Sequence, residues 1–178
     1  MTKEHYCATI GNYDGVHRGH RMVLERLKKI AEEEKRNTMV ITFDKHPMAV
    51  TCPERTPRPL TTTEEKVRRL YACGIDRVVV LTFDKRFMQQ TAYDFMKHTL
   101  FEELDVRTLL IGYDNRFGKR NEKENAETYI AYGKEIGINV FIGPGPEECG
   151  LYGNQAVSSS LIRKMIDEGK IEEAMELM

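Results

Sequence analysis

Short continuous apolar runs alternate along this chain with segments whose apolar residues recur at helical spacing. "YCATIG" (Tyr6 to Gly11) reads as a buried strand ended by a glycine. Val23, Leu27, Ile30 and Ala31 then fall on one helical face, leaving Lys28, Lys29 and Glu32 to Glu34 for solvent. "TMVITF" (Thr38 to Phe43) predicts a second strand, followed by "HPMAVTCPERTPRPL", which is too rich in proline for one regular element. Thr62 and Glu65 have capping-box spacing ahead of a helix that carries Val67, Leu70 and Tyr71. "RVVVLTF" predicts a third strand, the region from Thr91 to Leu104 a helix, and "TLLIG" (Thr108 to Gly112) a fourth strand. A helix from about Glu124 to Ile136 and a fifth strand, "NVFIG", complete the alternation. No repeat or linker interrupts it. Such alternation predicts the α/β class, with a parallel sheet covered by helices on both faces. Strand order is not encoded in the pattern. In such sheets ligands gather beyond the carboxyl ends of the strands, where the order reverses. "GNYDGVHRGH", just past the first strand, lies where that crevice begins.

Composition narrows the class further. The 178 residues suit one domain with a real core, and 40% apolar with 31% charged residues suits a soluble globular chain. A net charge of −1 gives no general attraction to nucleic acid, so an anion site has to be local. No apolar run approaches a membrane span, and "MTKEHYC" lacks a signal peptide's hydrophobic stretch. Cys7, Cys52, Cys73 and Cys149 are scattered without a CxxC pair, which favours reduced thiols in a cytoplasm over disulfides or a zinc knuckle.

The junction after the first strand holds the candidate chemistry. A helix start presents free N–H groups and the positive end of its dipole to an anion. Gly11, Gly15 and Gly19 let the backbone bend and approach a ligand, and His17 and His20 add donors that titrate near neutral pH. Together they suit a phosphate cradle. The spacing is neither G-x-G-x-x-G nor a P-loop. Two plainer readings share these residues: a metal pair, for which no third ligand stands at motif distance, and a turn with incidental surface histidines.

The surrounding residues carry more. "GNYDGVHRGH" resembles the signature of the nucleotidylyltransferase superfamily, specifically the bacterial FAD synthetases, bifunctional riboflavin kinase/FMN adenylyltransferases. "TFDKHP" resembles the family's T-F-[DE]-P-H-P, and "PLTTTEEKVRRL" its R-L-T-T-x-x-E-K stretch. "LLIGYDNRFGKR" resembles its G-x-[DN]-x-x-F-G loop, and "VSSSLIRKMIDEGKIEEAMEL" its [IV]-S-S-T-x-I-R helix. The resemblance covers nearly the whole chain from Ala8 onward and implies a Rossmann-like fold that transfers AMP from ATP to FMN, forming FAD and pyrophosphate. It implies phosphate-stabilising catalytic roles for His17, His20 and Arg163. It carries ATP binding over to Gly11, Asn12, Tyr13, Asp14, Gly15, Gly19, Asp114, Ser158 and Ser159, and FMN binding to Phe43, Asp44, His46 and Pro47. Mg²⁺ is implied, held mainly through the phosphates, with Asp114 the one carboxylate at a matching position. The implied partners are the small molecules ATP and FMN, not nucleic acid or membrane. The family's C-terminal riboflavin kinase module, a candidate partner domain or subunit, is expected to be absent from residues 1–178, which read as a single adenylyltransferase domain.

Residue chemistry fits beside this. Arg163 falls four residues after Ser159, so one helical turn brings it beside the serine hydroxyls at a second helix start. The plainer alternatives are a serine N-cap with a solvated arginine, a polar turn at "GYDNRFGKR", and a strand end with an exposed His46. Departures from the family pattern are Tyr13 for Phe, Lys45 for Pro and Ser160 for Thr. Other nucleotidylyltransferase chemistries, and a flavin- or nucleotide-binding module without catalysis, remain as rival functions.

Overall fold

A computed structural model describes residues 5–113 and 115–178. Five strands, β1 (Tyr6–Ile10), β2 (Asn37–Phe43), β3 (Arg77–Leu81), β4 (Val106–Ile111) and β5 (Asn139–Ile142), pair in the order β3-β2-β1-β4-β5, all parallel. The chain lays β2 and β3 to one side of β1, then crosses to place β4 and β5 on the other. The reversal therefore falls between β1 and β4.

Both faces of the sheet are apolar, which is why the strands read as unbroken runs. Tyr6, Ala8 and Ile10 of β1 join Met39, Ile41 and Phe43 of β2 in one core. That core is closed by Phe95, Met96 and Leu100 and by Tyr129. Cys7, Val40 and Leu110 face the other way, against Leu24, Leu27, Ile30 and Leu70. The first face is covered by a short helical turn and π-helix (α5, Ala92–Asp94, then Phe95–Glu103) and by α6 (Ala126–Ile136). The second is covered by α1 (Arg18–Glu33) and α3 (Thr63–Ala72). The expected class and helical coverage hold.

The local readings hold with adjustments. Thr62 does cap α3, accepting from the Glu65 N–H at 3.1 Å, but the Glu65 carboxylate turns to Arg68 and Arg69, so only half the capping box forms. Tyr71, expected on the buried face, is 47% exposed, and Lys66 takes the inward position with Leu70. The third strand stops at Leu81, two residues short of the expected run. The proline-bearing stretch contains one short helix, α2 (Met48–Thr51), and a 3₁₀ turn, Pro53–Arg55. A further short helix, α4 (Lys85–Gln89), follows β3. Near the chain's end a two-strand hairpin, β6 (Leu151–Tyr152) and β7 (Gln155–Ala156), leads into α7 (Ser159–Asp167) and α8 (Ile171–Glu176). These two helices share a small core, Val157, Ile162, Met165, Ala174 and Leu177, that seats them over the carboxyl end of the sheet.

Candidate active site

β1 ends at Ile10, and the junction to α1 is a tight, strained turn. Tyr13 (φ 51°), Gly15 (φ 81°) and Val16 (φ 46°) all take left-handed backbone, which only the glycine adopts without steric cost. The turn survives because its surroundings fix it at many points. The Asp14 carboxylate accepts from the Leu60 N–H at 3.0 Å, from the Thr61 N–H at 3.1 Å and from the Thr61 hydroxyl at 3.2 Å, and it pairs with Arg163. The Gly15 N–H donates to Thr61 Oγ1 at 3.2 Å, and the Gly15 carbonyl accepts from Arg69 at 3.1 Å. The Asp14 carbonyl accepts from the Ser159 hydroxyl at 2.9 Å. Tyr13 is buried, and its hydroxyl, the group a phenylalanine would lack, finds Thr9 Oγ1 at 3.0 Å.

His17 caps α1: its Nδ1 accepts from the His20 N–H at 3.4 Å, and the two imidazoles stack with centroids 3.6 Å apart. Tyr13 closes the far side of His20 at 4.9 Å. The helix start is less open than the sequence implies, because the Arg18 N–H donates to the Leu177 carbonyl at 2.8 Å. The expectation that both imidazoles titrate near pH 7 is also modified. Burial pulls His17 down to about 4, with Asp14 opposing and Arg163 assisting. Burial, then His17 and the Lys66 ammonium, hold His20 well below its ordinary value. Both rings are neutral donors in the ligand-free protein. His20 Nδ1 is buried without a hydrogen-bond partner among the described residues, the state of a group built to meet something polar.

Three cavities open beyond the strand ends and share walls. One of about 300 Å³ is lined by Phe43, Phe83, Phe87 and Phe117, with Pro47, Asn12 and Gly11 at its edge. Its aromatic rings pack edge-on, Phe43 lying 5.3 Å from both Phe83 and Phe87. A middle cavity of about 260 Å³ is lined by Gly11, Asn12, Tyr13, His20, Gly112 and Asn115. A third, of about 250 Å³, lies among His17, Gly19, His20, Gly112, Ser158 and Ser159. Gly11, Asn12 and Asn115 are common to the first and middle cavities, and His20 and Gly112 to the middle and third. One trough therefore runs across the β1–β4 switch point, with an apolar aromatic end and a polar end.

The candidate residues divide along it. Phe43 and Pro47 wall the aromatic end, but Asp44 is exposed and accepts from the Phe83 N–H at 2.9 Å, which pins β2 to the segment after β3. His46 does not line that cavity. Its Nδ1 accepts from the Met48 N–H at 3.1 Å, and its pKa is lowered by burial and then by Arg163, with Lys66 adding to it and Asp14 opposing. Electrically it belongs with the junction. Ser158 caps α7, accepting from the Leu161 N–H at 3.1 Å. Arg163 is mostly buried, donating to the Arg58 carbonyl at 2.6 Å and pairing with Asp14, so its guanidinium is already engaged. Asp114 lies outside the described residues.

Three groups escaped the sequence reading. Asn115 donates to the Ile10 carbonyl and lines two cavities; its only signal was adjacency to Asp114. Arg69 holds Gly15, as above. The Lys66 ammonium donates to the Asn12 carbonyl at 3.0 Å and the Phe43 carbonyl at 2.8 Å. The sequence signals for Lys66 were its place as the lysine of the stretch resembling R-L-T-T-x-x-E-K and its i, i+4 relation to Leu70, which puts it on the buried stripe of α3. No group of three His, Cys, Asp or Glu among the described residues has the arrangement of a metal site, and Asp14 is committed to its own partners. The described side chains thus offer no closed set of metal ligands, which leaves an Mg²⁺ ion to be held chiefly by a substrate's phosphates. No helix among the described residues is long and apolar enough to cross a membrane.

The fold is shared with a crystal structure from Streptococcus pneumoniae described as a macrolide-efflux protein, with a TM-score of 0.82 at 24% identity over 99% of this chain and 57% of that one. The bifunctional riboflavin kinase/FMN adenylyltransferase of Escherichia coli (strain K12) is 33% identical over 170 residues, covering 96% of this chain and 53% of that protein. The proteins of the same name from Haemophilus influenzae and Listeria monocytogenes are 32% and 31% identical, covering 97% and 95% of this chain and 54% and 52% of their own lengths. The chain thus spans about half the length of these curated relatives. The sequence profile of the FAD synthetase family matches residues 1–160, and the chain belongs to that family.

Proposed function

We propose that this chain transfers the AMP moiety of ATP to FMN, forming FAD and releasing pyrophosphate. The observation that carries the reading is the single trough whose aromatic end suits a flat isoalloxazine and whose polar end, at His17, His20 and the start of α7, suits a nucleotide. Family membership supports the same assignment. In this arrangement the FMN phosphate and the ATP α-phosphate meet beside Asn12 and His20, in the middle cavity.

Adenylyl transfer asks little covalent chemistry of the protein. An oxygen of the FMN phosphate attacks the α-phosphorus, a new P–O–P bond forms, and the bond to the pyrophosphate oxygen breaks. The catalytic work is alignment and neutralisation of growing charge. The stacked imidazoles act as donors to phosphate oxygens, and phosphate negative charge favours their protonation, reversing the effect of burial. Mg²⁺ is expected to arrive on the ATP phosphates, where it would offset their charge. The reading covers adenylyl transfer alone; riboflavin phosphorylation, the other activity in the relatives' name, is assigned to none of these residues.

Incubating the purified chain with FMN, ATP and Mg²⁺ and separating the flavins tests it. FAD with stoichiometric pyrophosphate is the expected result. Tight FMN binding with no FAD would replace the enzyme by a binding module, and nucleotidyl transfer to another acceptor alone would move the chain elsewhere in the superfamily.

A further inference from the structure

A buried lysine on α3 stands where the two halves of the trough join. Lys66 is 5% exposed, and its ammonium donates to two backbone carbonyls from different elements, Asn12 beyond β1 and Phe43 at the end of β2. Those two residues are walls of the trough: Phe43 lines the aromatic cavity, and Asn12 lines both the aromatic and the middle cavities. The Asn12 carbonyl also accepts from the Thr42 hydroxyl at 3.0 Å, so it is held from the sheet as well as from the helix. Burial lowers the Lys66 pKa, against the attraction of Asp14 and Asp44, so the position carries a desolvation cost that an apolar residue would avoid.

We propose that Lys66 is a positioning residue for adenylyl transfer, fixing the Asn12 junction against the Phe43 wall so that the FMN phosphate and the ATP α-phosphate are held in line. The inference rests on the adenylyl-transfer reading above. Its physical content is that each cavity has its own walls, whereas the spacing between them depends on the Lys66–Asn12–Thr42 latch. A misplacement of about 1 Å between reacting groups costs about 100-fold in rate without requiring weaker binding of either partner.

The test compares the wild-type chain with Lys66→Met, Lys66→Arg and Thr42→Val. The readouts are the FMN dissociation constant from flavin fluorescence, the ATP dissociation constant from calorimetry, and the rate of FAD formation with both substrates saturating. For Lys66→Met the saturated rate is expected to fall about 100-fold, while each dissociation constant stays within about threefold. Lys66→Arg, which restores a cation and its donors, is expected to recover at least about tenfold of that loss. Thr42→Val, which removes one donor from Asn12 with little change of shape, is expected to lose about fivefold in rate. Wild-type rates in Lys66→Met and Thr42→Val would overturn the proposal. So would both dissociation constants rising by the same factor as the rate falls, since that is the mark of a structural role only. Should Lys66→Met fail to fold, Thr42→Val decides: a lowered saturated rate with intact binding supports the latch, and a wild-type rate removes it. A wild-type chain that makes no FAD fails the underlying reading instead, and the two failures are thereby separated.

Discussion

Replacing Asp14 with asparagine isolates the ion pair that ties the junction to α7. The carboxylate is 8% exposed and the Arg163 side chain 16%, so water contributes little to either. Asp14 Oδ1 faces the Thr61 N–H and hydroxyl, Oδ2 faces Arg163, and the Leu60 N–H reaches both at 3.0 Å. An asparagine that keeps its oxygen toward Thr61 must turn its NH₂ toward the guanidinium, so two donors confront each other. Among the described residues Arg163 then keeps its bond to the Arg58 carbonyl at 2.6 Å. Removing one partner of a buried pair costs 3–5 kcal/mol, and the partial exposure of Arg163 places this case at about 3 kcal/mol. In a chain of this size that is a fall in melting temperature of about 6–12 °C. Urea denaturation of the wild type, Asp14→Asn, Arg163→Met and the double variant measures it. The coupling energy between the two sites is expected at about 2 kcal/mol and nearly insensitive to salt. A loss below about 1 kcal/mol in Asp14→Asn, or strict additivity in the double variant, would refute the assignment of this pair as the junction's anchor.

The buried histidines predict a pH signature. His17, moved from 6.5 to about 4, stays neutral in the fold while the unfolded chain takes up its proton, so its contribution is intact above pH 6.5 and is lost as pH falls toward 4. The total is at most about 3 kcal/mol. His17→Asn keeps an N-cap acceptor and removes the titration, so its stability should decline less steeply over that window in urea titrations at several pH values; a slope equal to the wild type's would contradict the burial. ATP binding should reverse the effect by favouring the protonated rings. Calorimetry at pH 6 in two buffers of different ionisation heat is expected to show proton uptake, and equal heats in both would count against phosphate contact at His17 and His20. Gly118→Ala tests the aromatic end: its φ is +80°, and an added Cβ would lie 2.6 Å from the Ala92 backbone nitrogen. The strained loop should lower FMN affinity more than tenfold in a fluorescence titration, through backbone strain of about 1–2 kcal/mol plus overpacking. ATP affinity should remain within about threefold, and unchanged FMN affinity would remove this loop from the flavin site.

The strands were legible because each reads as a short apolar run, buried throughout in β1 and nearly so in β2 and β4. The helix α1 was legible because Val23, Leu27, Ile30 and Ala31 recur at helical spacing, although Leu24 is the buried residue and Val23 only packs at the edge of that core. Strand order was not legible, since an unbroken run fits equally beside any neighbour. The same limit governed the site. His17 and His20 are three residues apart and announced themselves together, whereas Asp14 and Arg163 are separated by 149 positions and were assigned separately, one to ATP binding and the other to phosphate stabilisation. Lys66 sits among Glu64, Glu65, Arg68 and Arg69, within a family-like stretch that by itself gave it no role. Burial on α3 gives it a meaning, and only tertiary contact with Asn12 and Phe43 reveals that meaning.

The division of labour at the junction follows from its backbone. Tyr13 and Val16 are side chains that resist left-handed conformation, at about 1–2 kcal/mol each, and Val16 is β-branched and fully buried. A turn of that kind does not persist on local preference; it persists because neighbouring elements over-determine it. Here Leu60 and Thr61 grip Asp14, α3 grips Asn12 and Gly15 through Lys66 and Arg69, and α7 grips Asp14 through Ser159 and Arg163. Arg163 and Ser159, which resemble phosphate ligands in the sequence, are thus also part of the frame that holds the histidines. A phosphate entering the trough meets donors already fixed in place, so little reorganisation is needed as charge develops. Loosening any one grip should therefore show first in the rate of transfer and only later in the affinity for either substrate.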